Sequence, residues 1–156
     1  MTPIELLEEL KKFIEENTKD IILQVRTKRS QEAKERAAEV HKMKLPTKDD
    51  EVERIPYILL QLLTGKDKQT PGDPEESECK IRIVVATYSE DASEGSFDVL
   101  NLLTRIRISL LKSRIIANKF VLRLPLEYIV YPDDTAPYYL GEMVSDWSIP
   151  TIKREV

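Results

Sequence analysis

One cysteine, one histidine and four glycines in 156 residues remove much chemistry before any pattern is sought. Cys79 alone cannot close an internal disulfide, so the framework of an oxidising compartment is excluded and Cys79 reads as structural or incidental. His41 sits in a weakly patterned stretch, from which a nucleophilic Ser-His-Asp or Cys-His site would have to recruit it. One His and one Cys cannot supply the four ligands of a structural zinc. Gly65, Gly72, Gly95 and Gly141 are too scattered for a phosphate-cradling loop, which needs several backbone amides converging at a helix start. Apolar runs such as Ile58–Leu60 and Val84–Ala86 fall far short of the roughly 20 residues that cross a bilayer. The start, Met1-Thr2-Pro3-Ile4-Glu5, carries no basic region with a following apolar stretch, so no secretory signal is expected and the chain belongs in the cytosol until lysis. Basic charge is also short: 24 Lys and Arg against 28 Asp and Glu leave −4, with a pI near 5.2, which argues against coating a nucleic acid.

What is present is enough apolar content, 41%, to bury one core in a chain of single-domain length. Thr2 followed by Glu5 is a capping box with Pro3 at the first helical position, which predicts a helix over 2–16. Ile4, Leu7, Leu10 and Ile14 line one face of it, widened by Leu6 and Phe13. Ile21–Val25 reads as a short strand. Thr27–Lys44 has only Ala33, Ala37, Val40 and Met43 at helical spacing, so any helix there buries little. A charged, linker-like loop, Leu45–Glu51, follows.

Strands are predicted over Ile55–Leu63 and Ile81–Tyr88, separated by a loop from Thr64 to Glu78. Ser96 is the expected N-cap of a long helix reaching about Ala117. Val99, Leu102, Leu103, Ile106 and Leu110 form one apolar stripe on it; Leu100, Ile108, Leu111 and Ile115 form a second, rotated by roughly a third of a turn. The helix thus has more apolar surface than one sheet would use. Phe120–Tyr131 alternates, with Pro125 marking an edge position or bulge, and a last strand within Tyr138–Ile149 puts Met143, Ser145, Trp147 and Ile149 on one side. The expected fold class is α+β: a mixed, mainly antiparallel sheet flanked by an N-terminal helix and one long central helix.

Acidic clusters at Asp49-Asp50-Glu51, Glu75-Glu76-Glu78, Glu90-Asp91 and Asp133-Asp134 are the remaining route to a metal-dependent hydrolase, but all fall in predicted loops, where carboxylates are ordinarily solvated. No catalytic residue, metal or cofactor is assigned. Trp147 reads as core. Tyr131, Tyr138 and Tyr139 flank a proline-rich loop and fit either local packing or contact with a neighbouring subunit. Arg107 and Arg114 lie between the two stripes, either as solvated residues or in intersubunit salt bridges.

Taken in order, these segments resemble a known family. Ile55-Pro56-Tyr57-Ile58-Leu59-Leu60-Gln61-Leu62-Leu63 is followed by Ile81 to Asp91, Glu94-Gly95, Asp98 to Leu103, Phe120 to Tyr131, Pro137 to Met143 and Trp147. The succession resembles the tail terminator, or tail completion, proteins of tailed bacteriophages, in the type carried by prophages of Gram-positive bacteria. It covers Arg54 to Glu155; residues 1–50 show no such match and are taken as a weakly matched N-terminal helical part of one domain over 1–156. The resemblance implies a homo-hexameric ring on the head-proximal end of the tail tube, working by recognition and not catalysis. Its partners would be other copies of itself, the tail tube protein, and a sheath or a head connector or stopper. DNA would pass through an acidic lumen without specific binding, no membrane would be involved, and the protein would reside in the tail or neck of the particle after assembly in the host cytoplasm. A heterologous interface would use Leu100, Arg107, Ile108, Leu111, Arg114 and Ile115, with loop contacts from Tyr131, Tyr138 and Tyr139. Both stripes packing within one subunit, the helix being sandwiched between the sheet and residues 2–16, is the alternative. Another neck component, a stopper or adaptor, would share this company, and a phage-tail-like bacteriocin would carry the same cap as a phage.

Overall fold

The computed structural model describes residues 2–26, 34–46, 54–132 and 135–153. Helix α1 (Pro3–Thr18) begins where its capping box predicts: Thr2 Oγ1 accepts the Glu5 amide at 3.3 Å. It ends as Asn17 and Thr18 turn their side chains back onto the carbonyls of Phe13 and Ile14, each at 2.7 Å, bonds that compete with helix continuation. Leu6, Leu7, Leu10 and Ile14 are buried, whereas Ile4, expected in the stripe, is 70% exposed. The packed face is turned toward Leu6, away from Ile4.

Strand β1 (Leu23–Val25) pairs antiparallel with β2 (Lys34–Arg36) as a separate two-stranded sheet. The main sheet holds β3 (Glu39–Lys42), β4 (Tyr57–Lys68), β5 (Glu76–Tyr88), β6 (Ile115–Ile116), β7 (Phe120–Val130) and β8 (Tyr138–Ile149), in the order β3-β4-β5-β8-β7-β6. Every pairing in it is antiparallel except β3 with β4. The fold is therefore α+β with a mixed, mainly antiparallel sheet.

Two expectations change here. Residues 34–36 and 39–42 are strands, not a weak helix: Val40 is buried, β2 pairs with β1, and β3 pairs with β4, a partner 18 residues further along the chain. The earlier part of that expected helix, 27–33, and most of the charged loop, 47–53, lie outside the described residues. Thr64–Glu78, expected as a loop, is largely strand. The β4–β5 hairpin continues through Lys68 opposite Glu76, with an irregularity between Leu62 and Thr64; Ser77 Oγ donates to Asp67 across it at 2.6 Å.

Helix α2 (Gly95–Ser113) starts one residue before the expected cap. Asp91 Oδ1 accepts from the Ser93 amide and hydroxyl at 3.0 and 2.7 Å, and the Gly95 amide donates to the Asp91 carbonyl at 2.8 Å. That turn makes Glu94 the N-cap. The helix also stops short of Ala117: Arg114 takes φ 60, and its amide returns to the Leu110 carbonyl. Ile115 consequently belongs to β6, not to the helix.

Both helices cover one face of the sheet. Ile58, Leu60, Ile81, Ile83, Val85, Phe120, Leu122, Met143 and Trp147 meet Leu6, Leu10 and Ile14 of α1 and Val99, Leu102, Leu103, Ile106 and Leu110 of α2 in one continuous core. Trp147 is fully buried, and its indole nitrogen donates to Ser145 Oγ at 2.9 Å, which itself donates to the Ile81 carbonyl. A wholly buried polar pair is thereby satisfied. At Gly141 α2 passes close over β8: a Cβ there would lie 2.7 Å from Leu103 Cδ1 and 3.1 Å from the Ile129 carbonyl oxygen. Neither described helix is long and apolar enough to cross a membrane.

Candidate subunit interface

The second stripe of α2 stays open. Leu100 and Ile108 are 38% and 42% exposed, and Ile115, just past the helix, is 51% exposed; Leu111 is half-buried against the core. Phe97, one turn before Leu100 on the same side, is more than half exposed. The reason is where α1 lies. Arg105 donates to the Asn17 carbonyl at 3.1 Å and to Asp20 at 2.7 Å, so α1 ends against the polar side of α2, which is turned about 100° from the centre of this stripe on a helix of 3.6 residues per turn. The sandwich that would have buried both stripes in one subunit does not form.

On its other side α2 leans over β7. The Arg107 guanidinium lies 5.7 Å from the centre of the Tyr128 ring, a distance at which a cation is attracted to the ring face. Among the described residues Arg107 thus rests on an aromatic ring and makes no ion pair within the chain. Arg114 closes the helix through its backbone, and its carbonyl accepts the Leu122 amide at 2.7 Å.

Beyond that bond, β7 has no neighbour on its outer side among the described residues. Strand β6 pairs only with Phe120 and Val121. The register against β8 slips between Arg123 and Glu127, where Pro125 sits, so Pro125 is both at an edge and in a bulge. The slip adds two residues and preserves alternation; Leu124 within it, and Tyr128 just beyond it beside Arg107, are about half exposed at this open edge. Ile129, on the opposite face, is equally open.

The three loop tyrosines are each engaged within the chain. Tyr131 accepts from Arg82 at 3.2 Å; the same guanidinium reaches Gln61 at 3.1 Å and Glu142, tying β4, β5 and β8 together on the face that carries no helix. The Glu142 carboxylate beside it raises Arg82 above the ordinary guanidinium range, with Tyr131 adding to the effect. Tyr138 accepts from Arg26 at 2.6 Å, and its ring lies 5.6 Å from that of Tyr88. Tyr139 packs beneath Gly95, where a Cβ would come within 2.4 Å of its ring. Its hydroxyl is buried with no hydrogen-bond partner among the described residues.

Lower on the helix-free face is a trough of about 540 Å³ lined by Thr64, Lys66, Glu78, Lys80, Arg123, Leu124 and Asp146. Arg123 pairs with Glu78, and Lys80 with Asp146 at 3.7 Å. Cys79, beside it, is buried, and burial, with a smaller push from Asp146, moves its thiol up to about 11. That is far from the lowered range of a reactive cysteine. Glu75, Glu76, Glu78, Glu90 and Asp91 join no group of three or more possible metal ligands among the described residues; Asp49, Asp50, Glu51, Asp133 and Asp134 lie outside them. His41, on β3, faces Glu39 at 3.5 Å.

No family model and no curated protein matches the chain. A solved structure superposes on it with a TM-score of 0.50 at 9% identity, over 96% of this chain and 93% of its own, a likeness that shows the fold alone.

Proposed function

We propose that this chain is the subunit of a ring that caps the head-proximal end of a phage tail tube, or of a phage-tail-like particle, ending tube growth and offering the surface to which the head is joined. One observation carries the assembly part of this reading: Leu100, Ile108 and Ile115 are apolar and open, and Ile115 pairs with Val121, itself exposed, at the start of the edge strand β7. Contiguous apolar surface of this kind, rimmed by charge, marks an association face. The ordered resemblance from Arg54 to Glu155 supports the tail terminator assignment in particular. The ring's partners are then other copies of the chain, the tube protein below and a connector or stopper above, and the excess of acidic residues lets DNA slide through the lumen without adhering.

The test is deletion of the gene in its producing strain, followed by negative-stain electron microscopy of released particles. Overlong or abnormally ended tubes are expected. Tails of normal length that fail to join heads would move the protein to a stopper or adaptor position, and fully normal particles would refute a structural role.

A further inference from the structure

We infer that neighbouring copies of this chain join by antiparallel pairing of two different sheet edges: the outer edge of β7 in one copy with the outer edge of β4 in the next. This names the contact within the ring proposed above and rests on that reading.

Each edge has a limited free window. On β4 the upper half is occupied, by β3 as far as Leu60 and then by Met43, whose amide donates to the Leu60 carbonyl and whose sulfur receives the Leu62 amide. Among the described residues, nothing pairs with the outer side of 63–68. On β7 the beginning is occupied, by β6 and by the Arg114 carbonyl at Leu122, leaving 123–130. Laid antiparallel, the β6 end of one window falls beside the β4–β5 turn, and Val130 falls beside Leu63 where Met43 begins. The two blocking segments lie at opposite ends of the joint and do not collide.

Backbone alternation and charge then select the register. The Tyr131 amide bonds inward to the Leu140 carbonyl, which turns the N–H and C=O of Tyr128 and Val130 outward. The Leu60 carbonyl points outward on β4, and across the irregularity at Leu63 the same alternation turns Gly65 and Asp67 outward. Setting Tyr128 opposite Gly65 makes a hydrogen-bonded pair and lays the half-exposed ring over a residue with no side chain, an arrangement that compensates a glycine in a strand. Glu127, on the helix-free face, is then directly opposite Lys66, with Lys68 diagonal to it. All five of these residues are exposed. Pairing β4 with its own copy about Asp67 sets Lys66 against Lys68, and pairing β7 with its own copy about Glu127 sets that carboxylate against itself; both registers are unfavourable. A joint between unlike edges is heterologous, and such joints close into rings when the rotation allows.

The experiment places cysteines at Lys66 and Glu127 in the full chain. A directly opposed, non-hydrogen-bonded pair brings Cβ atoms to about 4.5–5.5 Å, close to what a disulfide spans. Mild oxidation is expected to give a ladder of cross-linked copies when both cysteines are present, and a dimer when K66C chains are mixed with E127C chains. Glu127→Lys is expected to weaken association roughly fivefold or more per contact, and adding Lys66→Glu to the same chain to restore it. Cross-linking of K66C or of E127C alone would overturn the inference in favour of two-fold pairing. Rings, in solution or on isolated tails, in which the double-cysteine chain forms no cross-link would overturn the edge contact while leaving the ring itself standing. A chain that remains monomeric in solution and cross-links in neither setting would overturn it as well, whereas overlong tubes in the deletion strain would then still uphold the cap.

Discussion

Replacing Leu100 and Ile108 together by Lys separates association from folding. Full burial of a Leu or Ile side chain is worth about 2–3 kcal/mol, and these two leave 38% and 42% of themselves uncovered. Covering the remainder in a neighbour's surface is thus worth about 1 kcal/mol each, or about 2 kcal/mol per contact, roughly a thirtyfold change in an association constant. The lysine ammonium must also be desolvated, which adds to the loss. Within the monomer the cost is small, because the aliphatic stem of Lys can keep the covered part of each site packed while its charge reaches water. Leu111 is left alone, since it is half-buried against the core. Sedimentation velocity over a concentration series is expected to show the wild-type oligomer displaced to monomer by at least tenfold in concentration, with the thermal midpoint by circular dichroism within a few degrees of wild type. An unchanged oligomer would refute the association face. A collapse of the melting transition would show that the stripe belongs to the core.

Gly141→Ala drives a methyl group to 2.7 Å from Leu103 Cδ1 and 3.1 Å from the Ile129 carbonyl; overpacking of this kind costs about 1–3 kcal/mol, so the thermal midpoint should fall, and an unchanged midpoint would mean that α2 yields at that point. Tyr139→Phe removes a hydroxyl that is buried without a hydrogen-bond partner among the described residues; the variant should be as stable as wild type or gain up to about 1 kcal/mol in urea denaturation, and a clear loss would reveal a partner. Asp20 is held below its ordinary value of 3.8, first by its hydrogen bond from Arg105 and then by its own backbone. Because the shift is downward, its stabilising effect is present above the unfolded value and is lost as pH falls through the folded one. Arg105→Ala should therefore flatten the acid limb of the stability curve below about pH 4, and an identical limb in both proteins would refute the coupling.

What could be read from the sequence follows from how far along the chain each element finds its partner. Helix α1 was legible to the residue at its start because Thr2, Pro3 and Glu5 act on the backbone within one turn. The second stripe on α2 was legible because periodicity alone fixes which side chains share a helix face. Pro125 announced its own bulge by lacking an amide donor. Strand β3 was hidden: its composition favours helix, and only the arrival of β4 from 18 residues later at Val40 and Ile58 overrides that preference. The lower β4–β5 hairpin was hidden for a related reason, since its Lys, Asp and Glu side chains give no apolar alternation and the ladder is held by backbone bonds and the Ser77–Asp67 hydrogen bond. The end of α2 was misplaced because Arg114 enters the left-handed region without a glycine to signal it. The largest omission at the interface, the open side of β7 with Leu124, Tyr128 and Ile129, has a different origin. Which strand stands at the edge depends on the order β5-β8-β7, and strand order is a property of the assembled sheet. The same apolar residues in a central strand would have been core; at the rim, beside an uncovered helix stripe, they are left open, and in the proposed ring they are where one copy would meet the next.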